Sequence, residues 1–356
     1  MTGLDALRDG CSRALSGHGP VRAADLLATI GADTAVDRYG VGGVVAELEA
    51  EVADLLGMAA ALYLPSGTMA QQAVLRVHAD RRARRTVLFH PACHLDRHEG
   101  RALERLHGLV GRPVGDPHAL IVLADLAAVA EPVAALVLEL PQRDLGGQLP
   151  AWGDLQEQVA WARGVGAAAH LDGARLWEAA AGYDRPPDQI AALFDTAYVS
   201  FYKGIGALAG CCLAGPADVV AEAAEWRRRM GGTLFGLWPG AASALTLLRR
   251  RRPLMPAYLE HARAIASALS DVPGVQVVPD RPETPMMHLL LTTTGDAFAA
   301  AALALAEHDG LWTWPDSTAT EVPGIRRVEL SVGDATLALT PEQVREAVSR
   351  LVGAYG

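Results

Sequence analysis

Lysine is almost absent from this chain of 356 residues, whose 31 basic residues include a single lysine, Lys203. Arginine can replace lysine in salt bridges and in solubility, but its guanidinium does not deprotonate in proteins. Arginine therefore cannot act as an amine nucleophile, whereas a lysine can lose its proton and form a Schiff base with a carbonyl. The one retained lysine is the first candidate for chemistry, and a surface lysine without a function is the alternative.

The chain is also short of long apolar runs and of cysteine. No apolar run is long enough to span a bilayer, and the first ten residues lack the apolar core of a signal peptide. The four cysteines, two of them adjacent at 211 and 212, form no disulfide framework, so reduced thiols are expected. We therefore predict a cytoplasmic protein with no membrane partner.

Positive charge is in deficit as well, since the net charge is -10 at pH 7, which argues against general nucleic-acid binding. Two arginine clusters, at residues 81–85 and 249–252, would on their own favour nucleic-acid binding. In a chain that uses arginine for nearly every cation, we expect them to be solvated helix ends. No nucleic-acid partner is predicted.

The length and the hydrophobic fraction of 51% predict a large domain followed by a smaller one. We assign residues 1–30 to a helical arm, 31–245 to the large domain and 246–356 to the small C-terminal α/β domain. In the large domain, continuous apolar strands alternate with helices. This alternation is typical of an α/β fold with a mainly parallel sheet covered on both faces.

Polar residues follow the predicted strands of the large domain, where ligands bind in open α/β sheets. They are Ser66-Gly67-Thr68, His94, Glu139, Asp172 and Lys203. The Ser-Gly-Thr segment opens a helix, so its N–H groups and hydroxyls either bind an anion such as phosphate or simply cap the helix. An aromatic run leads into Lys203 and glycines follow it, which indicates a strand end and a tight loop.

Asp172 ends an apolar strand and needs a partner, because an unpaired buried carboxylate is costly. That partner is either Arg175 or a protonated ring nitrogen. Pyridoxal 5'-phosphate requires an acidic residue that keeps its pyridine nitrogen protonated and so makes the ring an electron sink. With Lys203 for the aldehyde and residues 66–68 for the phosphate, the sequence predicts this cofactor.

Residues 171–176 (LDGARL), followed by Lys203-Gly204-Ile205-Gly206, resemble the threonine aldolase and β-eliminating lyase family of fold-type I pyridoxal phosphate enzymes. Supporting motifs occur in the family's order: Tyr39-Gly40, Pro65-Ser66-Gly67-Thr68-Met69-Ala70, His94 with Glu99, Trp226-Arg227-Arg228, and Gly231-Gly232. The resemblance covers residues 37–245 well and the C-terminal part loosely. It implies the fold-type I architecture, with a large cofactor-binding domain and a small C-terminal α/β domain.

The resemblance also implies a role for each matching residue. Lys203 would form the Schiff base with the cofactor, and Asp172 would pair with the pyridine nitrogen. Gly67 and Thr68 would hold the phosphate. His94 would stack on the cofactor ring and assist proton transfer at the substrate hydroxyl.

The substrate-binding residues follow from the same resemblance. Arg175 would contact the 3-oxygen of the cofactor or the substrate carboxylate. Arg326 or Arg327 would hold that carboxylate, and Arg326 is preferred because it fits an R-x-V pattern. Family members assemble as dimers or tetramers with shared active sites, so we expect a homodimer or homotetramer in which Tyr39 reaches a neighbouring site.

The implied reaction is cleavage of the Cα–Cβ bond of a β-hydroxy-α-amino acid, which yields glycine and an aldehyde. Four departures from the family pattern leave the side chain and stereochemistry of the substrate open: Ala32-Asp33-Thr34, Leu140-Pro141-Gln142-Arg143, Tyr202 and Phe235. β-Elimination, racemisation and aminotransfer would use the same lysine and aspartate, so they stay as alternatives.

Two further alternatives do not need the cofactor. One is a metal site, because five potential ligands are clustered in sequence, with i, i+4 spacing between the histidines: His90, Cys93, His94, His98 and Glu99. Pro91 is expected to begin the helix after His90, which breaks the shared face, so no metal is predicted. The other alternative is a non-catalytic binding protein on the same fold.

Overall fold

The computed structural model describes residues 3–353, in which strands and helices alternate. The β-strands are β1 (Arg13–Ala14), β2 (Ala60–Leu64), β3 (Thr86–Phe89), β4 (Val110–Pro113), β5 (Val133–Glu139), β6 (Ala168–Gly173), β7 (Thr196–Ser200), β8 (Cys211–Gly215), β9 (Val275–Val278), β10 (Met286–Thr292), β11 (Leu311–Trp312), β12 (Thr318–Ala319) and β13 (Ile325–Ser331). The α-helices are α1 (Gly3–Gly10), α2 (Ala23–Leu27), α3 (Gly43–Leu56), α4 (Gly67–Arg82), α5 (His94–Arg97), α6 (Ala102–His107), α7 (Leu123–Ala127), α8 (Trp152–Gly164), α9 (Leu176–Tyr183), α10 (Pro187–Ala191), α11 (Ala217–Arg229), α12 (Trp238–Arg251), α13 (Met255–Leu269), α14 (Gly295–Asp309), α15 (Asp334–Leu337) and α16 (Pro341–Leu351).

These elements belong to two compact units. The larger unit comprises Ala24–Asp144 and Leu149–Pro253, and the smaller one contains the residues up to Ala23, Leu145–Gln148, and the residues from Leu254 onward. The predicted boundary between residues 245 and 246 falls inside α12. Because α12 is continuous and packs against α3, the whole helix belongs to the larger unit. The predicted arm of residues 1–30 is likewise divided, between Ala23 and Ala24.

A seven-stranded sheet forms the centre of the larger unit, in the order β2-β8-β7-β6-β5-β3-β4. The strands from β7 to β4 in this order are mutually parallel, whereas β8 is antiparallel to both of its neighbours. All residues of β6, β7 and β8 are buried, which explains their continuous apolar character in the sequence. The predicted α/β class with a mainly parallel sheet is confirmed.

The single reversed strand does not disturb the binding edge of the sheet. Since β2 and β7 are each antiparallel to β8, β2 runs in the same direction as the parallel strands. The segments that follow β2, β3, β5, β6 and β7 therefore leave the sheet at one edge. These are the segments in which the polar residues were predicted to meet.

The helices on either side of β2 have ends that the sequence defines. At the start of α4, the Ser66 hydroxyl accepts the Met69 N–H at 3.3 Å. At the end of α3, Gly57 has φ 60°, the left-handed conformation that favours glycine. The helix α4 begins at Gly67, directly after the Ser66 cap, and extends to Arg82.

The smaller unit contains an antiparallel sheet in the order β12-β13-β10-β9. Leu289, Leu291, Val328 and Leu330 on its two central strands are fully or almost fully buried. The helices α13 and α14 both pack against α16. The N-terminal segment joins this unit through a short parallel pairing of β1 with β11.

The strand β8 begins only at Cys211, because Gly210 has φ 90° and lies against Tyr63, where an added Cβ would be 1.9 Å from the phenol oxygen. The helix expected near Pro91 begins at His94 and has four residues. Within residues 3–353, no helix is both long and apolar enough to cross a membrane.

Candidate active site

A cleft of about 580 Å³ opens in the larger unit. It is lined by six residues that the sequence had singled out: Gly67, His94, Glu139, Asp172, Arg175 and Lys203. The shared edge of the sheet explains why residues from five separate chain segments meet here.

Strand register places three polar side chains in one row. Glu139 on β5 pairs with Asp172 on β6, and Asp172 pairs with Tyr198 on β7. Paired residues on adjacent strands direct their side chains to the same face of the sheet. All three accordingly line the cleft.

Asp172 is buried, with 3% of its surface exposed. Burial raises the pKa of Asp172 to about 6, while the Ala174 N–H, His94 and Lys203 act in the opposite direction. The Ala174 N–H donates to Oδ1 at 3.1 Å. A buried carboxylate that faces a cleft in this way is suited to a ligand nitrogen that carries a proton.

Glu139, which is half-buried, is the second carboxyl of the row. Burial, followed by the Asp172 carboxylate, raises the pKa of Glu139 to about 8. Its oxygens accept the backbone N–H groups of Arg143 at 3.2 Å and His94 at 3.4 Å. Because two adjacent carboxylates repel each other, Asp172 ionises first and Glu139 keeps its proton to higher pH.

Lys203 is half-buried and lines the same cleft. Its Nζ lies 5.3 Å from the centre of the Tyr202 ring. The positive charge of Lys203 also lowers the pKa of Asp172, so the amine and the buried carboxylate interact electrostatically. The structure thus brings together the two residues on which the predicted cofactor depends.

The loop after Lys203 is held at two points. A Cβ at position 204 would lie 2.1 Å from Glu178 Oε1, so any residue other than glycine at this position would clash with the Glu178 carboxylate. Arg251 Nη1 donates to the Ile205 carbonyl at 2.7 Å. Arg251 is only 9% exposed, so the prediction that its arginine cluster is solvated is wrong at this position. A guanidinium that satisfies a loop carbonyl is retained for packing rather than for solubility.

The N-terminus of α4 meets the cleft at Gly67, where an added Cβ would lie 2.2 Å from the Tyr198 hydroxyl. Ser66 caps the helix, and Thr68 is half-buried in its first turn. Burial raises the pKa of Tyr202, and hydrogen bonds from Tyr198 and the Gly67 backbone oppose that rise. The Tyr202 hydroxyl therefore lies at the helix end that was predicted to bind an anion.

His94 is oriented by a buried carboxylate. Its Nδ1 lies 3.0 Å from Glu99 Oε1, and Gln72 Nε2 donates to Glu99 Oε2 at 2.7 Å. The side chain of Glu99 is 1% exposed, whereas that of His94 is 39% exposed. A histidine whose Nδ1 proton is fixed by a carboxylate presents its other nitrogen as a base.

Two arginines line the cleft. Arg175 Nη1 lies 3.0 Å from Glu178 Oε1, in an ion pair that is almost fully buried. Arg143 lies in the segment that departs from the family pattern, and its Nη1 is 3.3 Å from Asp144 Oδ1. Both are suited to a substrate or cofactor that carries negative charge.

Tyr39 and Arg326 each have a partner within their own unit. Tyr39 is 54% exposed on a loop of the larger unit, and its ring packs edge-on against Phe235 with centroids 5.4 Å apart. Arg326 lies on β13 of the smaller unit, where its Nε donates to Ser317 Oγ at 3.0 Å. Adjacent residues on a strand face opposite ways, so Arg326 and Arg327 project from different faces of that sheet.

The cluster considered for a metal has other partners. His90 Nδ1 accepts the Ala92 N–H at 3.0 Å, and its Nε2 lies 2.8 Å from the Ala119 carbonyl oxygen. Glu99 is engaged by Gln72 and His94, as described. Among the described residues, no group of three or more histidine, cysteine, aspartate or glutamate side chains is arranged to hold a metal ion.

Comparison with known proteins decides the family. The model of the beta-eliminating lyase family matches residues 19–292. The chain belongs to this family. Its members are lyases that depend on pyridoxal 5'-phosphate, so the cofactor and the enzyme class predicted from the sequence are confirmed.

Individual relatives agree with this assignment. A solved structure from Exiguobacterium sp. 255-15, assigned as an aromatic amino acid beta-eliminating lyase/threonine aldolase, is 36% identical, covers 99% of both chains and has a TM-score of 0.92. Low-specificity L-threonine aldolase 1 of Arabidopsis thaliana is 26% identical over 71% of this chain and 73% of its own length. Aldolase vrtJ of Penicillium aethiopicum is 36% identical, but the match spans only 52% of this chain and 49% of that protein. The resemblance to threonine aldolases and the fold-type I architecture are thereby confirmed.

The residues of the cleft fit pyridoxal phosphate. The chain offers its one primary side-chain amine, a buried carboxylate suited to a protonated ring nitrogen, and a helix N-terminus suited to a phosphate. Lys203, Asp172 and the first turn of α4 would hold these three parts of the cofactor. Arg175 and the ring of His94 line the same space.

Sequence reasoning missed the residues that support these groups. Gln71 and Gln72 are 2% and 1% exposed, but buried glutamines on a helix carry no signal that separates them from solvent-facing ones. Glu178 follows the LDGARL motif by two residues, and its buried carboxylate was detectable only from the structure. Arg251 is one of four consecutive arginines, and the sequence does not distinguish it from the other three.

Proposed function

We propose that this protein cleaves the Cα–Cβ bond of a β-hydroxy-α-amino acid to give glycine and an aldehyde. The observation that carries the proposal is a single cleft in which Lys203 and the buried Asp172 lie beside His94, a histidine oriented by Glu99. The named threonine aldolases among the relatives support this substrate class. When bound, pyridoxal phosphate supplies the electron sink that bond cleavage at Cα requires.

The side chains of the cleft have separate tasks in this reaction. Lys203 holds the cofactor covalently through its amine, and Asp172 keeps the ring nitrogen protonated. His94 accepts the β-hydroxyl proton as the Cα–Cβ bond breaks and the aldehyde forms. A proton returned to Cα completes glycine. Glu99 stabilises the positive charge that His94 gains when it takes the proton.

Substrate recognition falls to the arginines. We propose that Arg175 contacts the cofactor 3-oxygen or the substrate carboxylate and that Arg326 holds the carboxylate. Arg143, at the segment that departs from the family pattern, is placed to contact the substrate side chain. Arg175 is favoured for planar, bidentate contact because Glu178 fixes its guanidinium.

Product analysis with the holoenzyme tests the reaction. With threonine or allo-threonine, we expect glycine and acetaldehyde in equal amounts, and His94→Phe is expected to lower kcat while retaining the cofactor. His118→Phe, on an exposed loop, serves as the control. An α-keto acid and ammonia as the main products would instead establish β-elimination and contradict aldol cleavage.

We also propose that the chain assembles as a homodimer or homotetramer and acts in the cytoplasm. Exposed apolar side chains support assembly, since Val36, Tyr39, Val41 and Phe235 are each more than half exposed. The four free cysteines support a reducing compartment. Light scattering that gives only the monomer mass at micromolar concentration would contradict the assembly.

A further inference from the structure

Gln71 is a buried cleft residue with an unused hydrogen-bond donor. It lies four residues after Gly67 on α4, so both residues are on the same face of the helix. Gln71 is 2% exposed and lines the cleft. Among the residues described, its Nε2 has no hydrogen-bond partner. A buried amide donor without a partner is unfavourable by about 1–3 kcal/mol, so such a group points to a ligand.

A buried chain of four hydrogen bonds ends at this glutamine. Arg82 Nη1 lies 3.3 Å from His78 Nδ1, and His78 Nε2 lies 2.9 Å from Thr196 Oγ1. Thr196 Oγ1 lies 2.8 Å from His170 Nδ1, and His170 Nε2 lies 2.7 Å from Gln71 Oε1. Thr196 and His170 are fully buried. His170 and Asp172 are two residues apart on β6, so their side chains lie on the same face of the sheet. The chain of hydrogen bonds therefore reaches the face that carries the cleft carboxylate.

The direction of every bond in the chain is fixed by its first member. Burial lowers the pKa of His170 to about 3 and that of His78 well below its usual value, so each neutral ring has one donor and one acceptor. Arg82 can only donate, so His78 Nδ1 accepts and Nε2 donates to Thr196. The Thr196 hydroxyl in turn donates to His170 Nδ1, and His170 Nε2 donates to Gln71. Gln71 therefore turns its oxygen toward His170 and leaves its NH₂ group as a donor.

We propose that Gln71 is a cofactor-binding residue, whose Nε2 donates a hydrogen bond to an acceptor atom of bound pyridoxal phosphate. Thr196 and His170 are positioning residues, since they act only by holding the amide in the donor orientation. The inference concerns cofactor binding in a confirmed family of cofactor-dependent enzymes. It does not depend on aldol cleavage being the reaction, because its measurements use cofactor affinity.

The first experiment measures the dissociation constant of pyridoxal phosphate by absorbance titration of each variant. Gln71→Met keeps the side-chain length but removes the donor, and it is expected to weaken affinity roughly tenfold. Gln71→Glu presents an acceptor instead and is expected to weaken affinity further. Gln158→Met is the matched control. That glutamine is also 2% exposed, but its Nε2 already donates to the Ile121 carbonyl at 2.7 Å.

The second experiment tests the chain of hydrogen bonds at a distance from the cleft. Thr196→Val breaks it and is expected to weaken affinity about threefold, whereas Thr196→Ser keeps the hydroxyl and is expected to restore it. The double variant Gln71→Met/Thr196→Val should bind no more weakly than Gln71→Met alone. Circular dichroism confirms that each variant is folded.

Three results would overturn the proposal. The first is a dissociation constant for Gln71→Met within twofold of the wild type, and the second is tight binding by Gln71→Glu. The third is full additivity in the double variant, which would show that Thr196 acts only through general stability. Absence of aldol products from a wild type that binds the cofactor would count against the proposed reaction alone, because the affinity series decides this inference.

Discussion

Replacing Asp172 by asparagine should stabilise the cofactor-free protein and weaken the loaded one. In the cofactor-free state, the ionised carboxylate is held in a buried position where burial raises its pKa from 3.8 to about 6. The asparagine oxygen can still accept the Ala174 N–H, so the substitution removes a charge without opening a cavity. We propose that this charge serves the bound cofactor.

The magnitude follows from the pKa difference. A group whose pKa is higher in the folded state binds more protons there, so folding stability falls as pH rises through the interval between the two values. Two pKa units correspond to about 3 kcal/mol, as an order-of-magnitude figure for a buried, coupled group. Asp172→Asn and the wild type should therefore be equally stable below about pH 3, and the variant should be more stable by the full difference above about pH 7.

Urea denaturation of both proteins without cofactor, across this pH range, measures the difference. Adding pyridoxal phosphate should then stabilise the wild type more than the variant, because a ligand that binds only the folded state adds stability in proportion to its affinity. A stability difference that does not change with pH would refute the reasoning. A variant that is less stable than the wild type at neutral pH would also refute it.

Three other variants test the remaining parts of the site. Glu99→Gln should lower kcat roughly 10- to 100-fold with little change in KM, because His94, the proposed proton acceptor, loses the carboxylate that orients it. A kcat within twofold of the wild type would contradict this role of Glu99. Gly67→Ala should lower cofactor affinity and thermal stability, because the added Cβ would lie 2.2 Å from the Tyr198 hydroxyl. Adding Tyr198→Phe to the same chain removes that hydroxyl and should partly restore both properties. If cofactor titration and thermal melting show no such rescue, the steric explanation is wrong. Arg326→Ala should raise the KM for the amino acid, and it should also lower the melting temperature because the hydrogen bond from Arg326 to Ser317 is lost. Arg327→Ala should leave KM unchanged. The reverse pattern of KM values would assign the substrate carboxylate to Arg327.

Two of the residues proposed for chemistry could be predicted because Asp172 lies at the end of an apolar strand and Lys203 follows another one closely. A charged residue at such a point has to have a partner or a function, so Asp172 and Lys203 were conspicuous in the sequence. Parallel strands with a shared carboxyl edge then required them to converge. The one reversed strand, β8, could not be foreseen from its apolar composition, but β2 restores the common direction.

The supporting residues were not predictable, because their signal arises only from packing. Gln71 and Glu178 look like ordinary helix residues until the fold places Gln71 in the lining of the cleft and Glu178 beside Arg175. The predicted boundary between residues 245 and 246 falls inside α12, which continues the apolar pattern of the larger unit through Leu248 before its arginines begin. Burial of Arg251 depends on a loop carbonyl contributed by a segment far away in the chain.

The central claim is that Lys203 carries the cofactor, and the chain itself makes that claim easy to test. Because Lys203 is the only lysine, borohydride reduction of the holoenzyme followed by intact-mass measurement reports on one side chain. We expect the mass to increase by one phosphopyridoxyl group per chain, with the modified peptide containing residue 203, and no such increase in Lys203→Arg. An unmodified wild-type mass, or an equal increase in the arginine variant, would contradict the account.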